Sequence, residues 1–175
     1  MSNLLDQLTQ ALAVFESCAK PPALIGGLAL AAHHVVRATS DIDFLVASED
    51  GDQLHTALLA LGYVCLHRSD DAANYLRGDE GLDFLYAHRP LARDLLQAAE
   101  EHMLGPVQVR VVSVEGLIGF KLQALVNNPK RPHDRDDIRK LLRENRSSLD
   151  MQQVKRYFTL FDRVALMEEL LVDID

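Results

Sequence analysis

Two aspartates, Asp41 and Asp43, flank one isoleucine inside an otherwise apolar run, DIDFLVA (41–47). An apolar run of this length predicts a strand, in which side chains two positions apart point to the same face. The two carboxylates should then stand together, while Ile42 and Phe44 face a core. Neighbouring carboxylates repel one another, so both stay ionised at low cost only beside a cation or in solvent. The pattern therefore predicts a sheet with one buried face and one acidic face.

Magnesium suits this pair, because it takes oxygen ligands from one or two carboxylates together with substrate phosphates. The alternative is that one aspartate caps a turn after Ser40 and the other is merely exposed. Two glycines upstream, Gly26 and Gly27, favour the metal interpretation. They lie where a short predicted strand meets a helix, a place where backbone can approach a ligand and a helix start attracts phosphate.

Hydrophobic periodicity and turn residues divide the chain into alternating elements. Predicted helices cover 3–18, 28–36, 49–62, 91–103, 114–126, 134–146 and 150–172, the last with a break near Asp162. Predicted strands cover 23–27, 41–47, 63–68, 73–78, 81–87 and 107–113. We therefore expect an α+β fold: a mixed sheet of about five strands flanked by helices over residues 1–113, followed by a helical C-terminal segment over 114–175.

Composition narrows the class of partner. The 175 residues carry a formal net charge of −8, which argues against a dedicated binder of duplex DNA, and bases cluster only in 131–146. Cys18 and Cys65 lie far apart without a CxxC partner, which predicts a reduced, cytoplasmic protein. The start lacks the features of a signal peptide, and no apolar run reaches the length of a membrane span. We expect no membrane contact.

The stretch IGGLALAAHH…RATSDIDFLV resembles the signature of the nucleotidyltransferase superfamily with a polymerase-beta-type palm. More narrowly, it is similar to the AbiEii/AbiGii-type toxin branch, whose tail motifs match GFKLQAL (119–125) and RPHDRDDIRKLL (131–142). The resemblance covers roughly residues 23–142. It implies transfer of a nucleoside monophosphate from an NTP, with Mg²⁺ or Mn²⁺ as cofactor.

The resemblance also implies a third carboxylate on a later strand, for which Asp83 in GLDFLY is the best candidate. Asp79 and Glu80 are the fallbacks, although they have the character of solvated turn residues. On this reading Asp41, Asp43 and Asp83 are both the catalytic residues and the metal ligands.

Substrate-binding roles follow from the same resemblance. The residues concerned are Gly26, Gly27, Arg37, Thr39, Ser40, Lys121 and Asp134. Lys121 is implied to reach the triphosphate or the carboxylates; the alternative is a solvent-facing lysine. Asp134 matches the acidic residue of a Lys-Asp pair, but His133 stands where the family has the lysine. Asp137 precedes Ile138 as the family pattern expects, and a structural role paired with Lys121 or Arg135 is its alternative.

The acceptor is not fixed by the sequence. The resembling toxins imply RNA such as tRNA, and other small enzymes of the superfamily imply a protein side chain or a drug hydroxyl. A toxin-like role with a cognate antitoxin is one expectation. The alternative is a catalytically inactive module that keeps the fold to bind a nucleotide or a partner.

Overall fold

The computed structural model describes residues 4–131 and 133–174. The helices are α1 (Leu4–Phe15), α2 (Gly26–Ala32), α3 (Gly51–Ala60), α4 (Pro90–Gln97), α5 (Val114–Asn127), α6 (Asp134–Glu144), α7 (Met151–Leu160) and α8 (Val164–Val172). The strands are β1 (Ala23–Ile25), β2 (Asp41–Ala47), β3 (Val64–Arg68), β4 (Ala72–Arg77), β5 (Glu80–Ala87), β6 (Glu100–Leu104) and β7 (Val107–Val111). A 3-10 turn, Ser48–Asp50, leads into α3.

The strands form one mixed sheet in the order β3-β4-β5-β2-β1-β7-β6. The neighbours β2 and β5 are parallel, as are β1 and β7, and the other pairs are antiparallel. The predicted α+β fold with a mixed sheet is confirmed. The described chain has seven strands rather than about five.

The chain divides into two compact units. The first holds the seven strands and α1 to α4. The second holds α5 to α8 together with residues 33–36.

One face of the sheet carries the core of the first unit. The alternate residues Ile42, Phe44 and Val46 of β2 are fully buried there. The ring of Phe44 meets Phe15 of α1 edge-on, with 4.7 Å between ring centroids. Removing such a buried ring costs about 3–5 kcal/mol. The intervening residues of β2, which include both aspartates, therefore point to the opposite face.

Two helix predictions were wrong at their C-terminal ends. The helix predicted over 91–103 stops at Gln97, and β6 follows and pairs antiparallel with β7. A tight turn at Gly105, whose φ is +58°, returns the chain, and the backbone hydrogen bonds of this pairing outweigh the local helical preference. The helix predicted over 28–36 begins at Gly26 and ends at Ala32, and His34 has a positive φ of 67°.

The second unit is a set of four helices whose ends are well defined. Ser113 caps α5 by accepting a hydrogen bond from the Gly116 amide at 3.2 Å, and Asp150 caps α7 through two amides. The break expected near Asp162 is confirmed, since Asp162 has a φ of +53° between α7 and α8.

Over the described residues, we find no helix with the length and apolar character needed to traverse a lipid bilayer.

Candidate active site

Three aspartates lie on one face of two central strands. In the parallel pairing of β2 with β5, Asp43 is directly opposite Asp83, and Asp41 is opposite Gly81. Adjacent strands run about 4.8 Å apart, and residues two positions apart share a face. Register alone therefore brings Asp83 beside the Asp41–Asp43 pair, across a sequence separation of forty residues. This face is the one opposite the buried ring of Phe44.

Two glycines leave the space that these carboxylates occupy. A Cβ added to Gly26 would lie 2.5 Å from Cγ of Asp43 and 2.8 Å from its Cβ. A Cβ added to Gly81 would lie 2.8 Å from Cγ of Asp41 and 3.2 Å from its Cβ. Gly26 also has a φ of +64°, a left-handed conformation that side-chain-bearing residues adopt at a cost. Both carboxylates thus stand where only glycine can be their neighbour.

Gly27, the next glycine along the chain, lies against the segment that leads into β2. A Cβ on Gly27 would lie 2.7 Å from Cβ of Thr39, so α2 and this segment are in close contact. The Thr39 hydroxyl donates to the backbone carbonyl of Asp41 at 3.1 Å, which fixes the start of the strand. Ser40 is exposed and Arg37 is half-buried. The structure thus gives Thr39 a positioning contact, and the phosphate roles expected of Arg37 and Ser40 stay predictions.

A residue that the sequence did not single out, Asn74, joins the site from β4. It lies directly opposite Asp83 in the β4–β5 pairing, and its side chain hydrogen-bonds the Asp83 carboxylate. Burial raises the pKa of Asp83, the Asn74 hydrogen bond opposes that rise, and the nearby charge of Asp41 adds to it. His67 of β3 is opposite Asn74 in turn and is exposed. The polar row therefore runs from β2 through β5 to the edge of the sheet.

The chemistry of this donor set fits a divalent cation. Hard cations such as Mg²⁺ take carboxylate oxygens, and Asp41, Asp43 and Asp83 present theirs on one face. A cation would also relieve the repulsion between Asp41 and Asp83, which raises the pKa of the latter. Among residues 4–131 and 133–174, however, no three Asp, Glu, His or Cys side chains converge closely enough to form a ready-made metal cage. Any bound cation must therefore complete its shell with ligands from a substrate or water.

Of the two fallback carboxylates, Asp79 lies in the turn between β4 and β5, and Glu80 is the first residue of β5. Asp79 is exposed beside Gly78, and Glu80 receives a hydrogen bond from Nε of Arg77 at 2.7 Å. Neither shares the register position opposite Asp43, which belongs to Asp83.

Lys121 and Asp134 lie in the second unit, where they form a buried ion-pair cluster. Nζ of Lys121 is 2.7 Å from Oδ1 of Asp134 and 2.8 Å from Oδ2 of Asp137. Only 9% of Lys121 and 2% of Asp134 is exposed. Arg131 adds a contact to Asp134 at 2.6 Å, and His133 is exposed. Lys121 is thus a buried lysine held by two carboxylates, not a solvent-facing one. Its contact with a triphosphate stays a prediction.

Comparison with known proteins shows which fold this chain has. Neither protein-family models nor curated proteins match this chain. The crystal structure of ANT(2")-Ia in complex with adenylyl-2"-tobramycin matches with a TM-score of 0.72 and 21% identity, over 92% of this chain and 98% of that one. The lincosamide antibiotic adenylyltransferase LnuA, bound to lincomycin, matches with a TM-score of 0.56 and 15% identity, over 77% and 94%.

A third structure extends the comparison beyond antibiotic-modifying enzymes. An antigenic nucleotidyltransferase-like protein from Paracoccidioides brasiliensis matches with a TM-score of 0.56 and 16% identity, over 95% of this chain and 91% of that one. The narrower likeness to AbiEii/AbiGii toxins stays a prediction, since these matches do not test it. At such identities the likeness concerns the fold, and this chain has the fold of the nucleotidyltransferases.

Proposed function

We propose that this protein is a metal-dependent nucleotidyltransferase that moves a nucleoside monophosphate from an NTP to an acceptor hydroxyl and releases pyrophosphate. The observation that carries the proposal is the register of β2 and β5, which sets Asp43 opposite Asp83 with Asp41 on the same face. The two glycines that make room for the carboxylates support it, because a merely structural strand would have no need of such space.

Each residue has a role that its position supports. Asp41, Asp43 and Asp83 would hold Mg²⁺ or Mn²⁺, which when bound neutralises triphosphate charge and acidifies an acceptor hydroxyl. Asp83 takes the proton of that hydroxyl, a role that suits a carboxyl whose pKa burial has raised. The backbone amides at Gly26 and Gly27, where α2 begins, bind phosphate oxygens. Positioning and charge stabilisation supply most of the rate in such a reaction.

A small hydroxyl-bearing molecule is the acceptor class that we place first. Two of the similar structures hold antibiotics, an adenylylated tobramycin in one and lincomycin in the other. The net charge of −8 also suits a neutral or cationic small molecule better than a nucleic acid. RNA such as tRNA is the acceptor that the toxin resemblance implies, and a protein side chain is an acceptor that other small enzymes of the superfamily imply. A toxin-like role with an antitoxin partner depends on a macromolecular acceptor of this kind.

One experiment separates these acceptors. The protein is incubated with each α-labelled NTP, Mg²⁺ and cell extract, and the products are split by size and digested with ribonuclease or protease. Label in a small, digestion-resistant product supports the favoured class. If ribonuclease or protease releases the label from a large product, the acceptor is RNA or protein, and the proposed nucleotidyl transfer still holds.

A second candidate, a nucleotide-binding module without turnover, draws on one observation. No three carboxylate, imidazole or thiol groups in the described residues are already gathered around a metal position. Calorimetric binding of an NTP, with no label transferred to any fraction of the extract, would favour this candidate over the enzyme.

A further inference from the structure

A cleft of about 490 Å³ opens on the first unit, well away from the aspartates. Its floor is the last residues of the parallel strands β2 and β5, Ala47 and Ala87. Ligands of open α/β sheets bind at the carboxyl ends of parallel strands, and small-molecule sites measure about 300–1,000 Å³. Position and size are therefore those of a ligand site.

The walls of the cleft carry an excess of positive charge. Lys20 and Arg93 both line it, and both approach the single carboxylate of the lining, Glu49, at 3.3 and 3.5 Å. One carboxylate thus pairs with two cations. The side chains of Lys20 and Arg93 are each about half exposed. With Arg110, also in the wall, the lining holds three cations and one anion. This local excess of positive charge stands in a chain whose net charge is −8.

Arg110 is a cation that backbone carbonyls hold in place. From β7 it donates to the carbonyl of Pro21 at 2.6 Å and to those of Leu96 and Ala99 at 2.9 and 3.1 Å. In the described part of the chain, its hydrogen-bond partners are all carbonyl oxygens. These bonds hold the guanidinium still, and the carboxylate opposite it in the β6–β7 pairing, Glu101, accepts a hydrogen bond from Gln108. An anion arriving in the cleft meets a preorganised charge.

The segment that carries Lys20 is also held in place. The buried carboxylate of Asp50 accepts hydrogen bonds from the backbone amides of Ala19 and Lys20 at 3.1 and 3.3 Å. The Lys20 backbone therefore has a fixed position, while its ammonium group can turn from Glu49 towards a ligand. The apolar lining of Pro21 and Leu96 offers a surface for the carbon body of that ligand.

We propose that this cleft is a second binding site, for a small organic phosphate whose phosphate group is bound by Arg93 and Lys20 beside Arg110. A phosphate group suits a pair of cations that share one carboxylate, because a guanidinium binds two phosphate oxygens at once. A mononucleotide-sized or sugar-phosphate-sized ligand fits the volume.

This site differs from the proposed active site. Ala47 lies four residues beyond Asp43 on β2, a separation of about 13 Å along the strand. None of the residues that line the cleft is one of the three aspartates or their glycine neighbours. The inference therefore stands whether or not the protein transfers nucleotides.

Calorimetry on the whole chain tests the site with a matched pair of probes, ribose 5-phosphate and ribose, and with inorganic phosphate as a third. The variants are Arg93→Ala and Lys20→Ala. Arg89→Ala is the matched control, because it removes the same charge from the same end of α4 outside the cleft lining. Asp43→Ala separates this site from the proposed active site. Circular dichroism checks that each variant folds.

We expect ribose 5-phosphate to bind with one-site stoichiometry and ribose not to bind. Arg93→Ala and Lys20→Ala should each weaken binding by about tenfold or more, the loss of a charge-assisted contact, while Arg89→Ala and Asp43→Ala leave the affinity within about twofold. If inorganic phosphate alone binds with the same dependence on Arg93, the phosphate group itself is what the site recognises. Failure of both phosphate probes to bind at about 10 mM, a ceiling that corresponds to less than 3 kcal/mol of affinity, overturns the proposal. So does binding that Arg93→Ala and Lys20→Ala leave unchanged.

Discussion

Replacing Gly26 by alanine should disable the carboxylate pair without removing a carboxylate. The new Cβ would lie 2.5 Å from Cγ of Asp43, whereas ordinary contact begins near 3.4 Å, so Cγ must retreat by about 0.9 Å (3.4 minus 2.5). Rotating the Asp43 side chain cannot relieve the clash, because its Cβ is itself only 2.8 Å away. The backbone of β2 or of the turn must move instead. A displacement near 1 Å in a reacting centre can cost about a hundredfold in rate.

Alanine variants of two other glycines separate the effect of displacing a carboxylate from the effect of backbone strain. Gly78 has a φ of +62° and nothing within 4 Å of an added Cβ, so Gly78→Ala introduces the strain alone. Gly81 has an ordinary strand backbone, but an added Cβ would lie 2.8 Å from Cγ of Asp41, so Gly81→Ala introduces displacement alone. We expect Gly26→Ala and Gly78→Ala each to lose about 1–2 kcal/mol of unfolding free energy to the left-handed backbone.

The assay is binding of the Mn²⁺ complex of ATP, followed by calorimetry or by the Mn²⁺ paramagnetic signal, beside urea denaturation. Gly26→Ala and Gly81→Ala should bind the complex about 10–100-fold more weakly than the unmodified protein, and Gly78→Ala should bind it normally. Binding by Gly26→Ala as tight as that by Gly78→Ala, at equal stability, would show that an added Cβ at Gly26 does not displace the Asp43 carboxylate.

Further predictions concern the partners of the aspartates and the buried lysine. Asn74→Ala should weaken Mn²⁺ binding about tenfold and move the acidic limb of the transfer-rate pH profile upward, because the pKa of Asp83 loses the hydrogen bond that lowers it. Burial raises the pKa of Asp83 in the folded state, so in the metal-free protein this carboxyl keeps its proton to higher pH than in the unfolded chain, and its contribution to stability falls as pH rises through that range. Asp83→Asn should therefore raise the midpoint of urea unfolding at pH 7 in EDTA and flatten its pH dependence; an unchanged midpoint would contradict this. Lys121→Met should cost about 3–5 kcal/mol of unfolding free energy, since it removes the cation shared by the buried carboxylates of Asp134 and Asp137, of which Asp134 keeps its contact with Arg131. A stable Lys121→Met variant with a raised KM for NTP would instead assign Lys121 to the triphosphate.

The acidic face of β2 was predictable from the sequence because it depends on a local rule. Residues two apart on a strand share a face, so Asp41 and Asp43 had to stand together once DIDFLVA formed a strand. The buried partners Ile42 and Phe44 fix which face is which. The family resemblance and an apolar strand around it indicate Asp83 as the third carboxylate, but the sequence does not specify its register against Asp43.

Register is also the reason that Asn74 was missed. An asparagine in a strand carries no local sign of what lies opposite, and its partner Asp83 is known only once β4 pairs with β5. The close approach of Gly81 to Asp41 is hidden in the same way. These contacts arise from pairing between strands, which no single segment specifies.

The hairpin at β6 and β7 shows a different failure. Residues 91–103 favour a helix by their own preference, and α4 does form over the first part. The rest joins the edge of the sheet because β7 offers an unpaired strand edge and Gly105 permits the turn. Long-range pairing thus overrode local propensity beyond Gln97.

In the proposed reaction, Asp43, Asp41 and Asp83 hold a metal ion for nucleotide transfer. The most direct test compares Asp43→Ala with Asp79→Ala, which removes an exposed turn carboxylate close to β5 in sequence, in the labelled-NTP assay at saturating Mg²⁺. We predict that Asp43→Ala keeps its circular dichroism spectrum and loses about a thousandfold or more in transfer rate, while Asp79→Ala transfers normally. Magnesium-dependent transfer by Asp43→Ala at the unmodified rate would contradict the account.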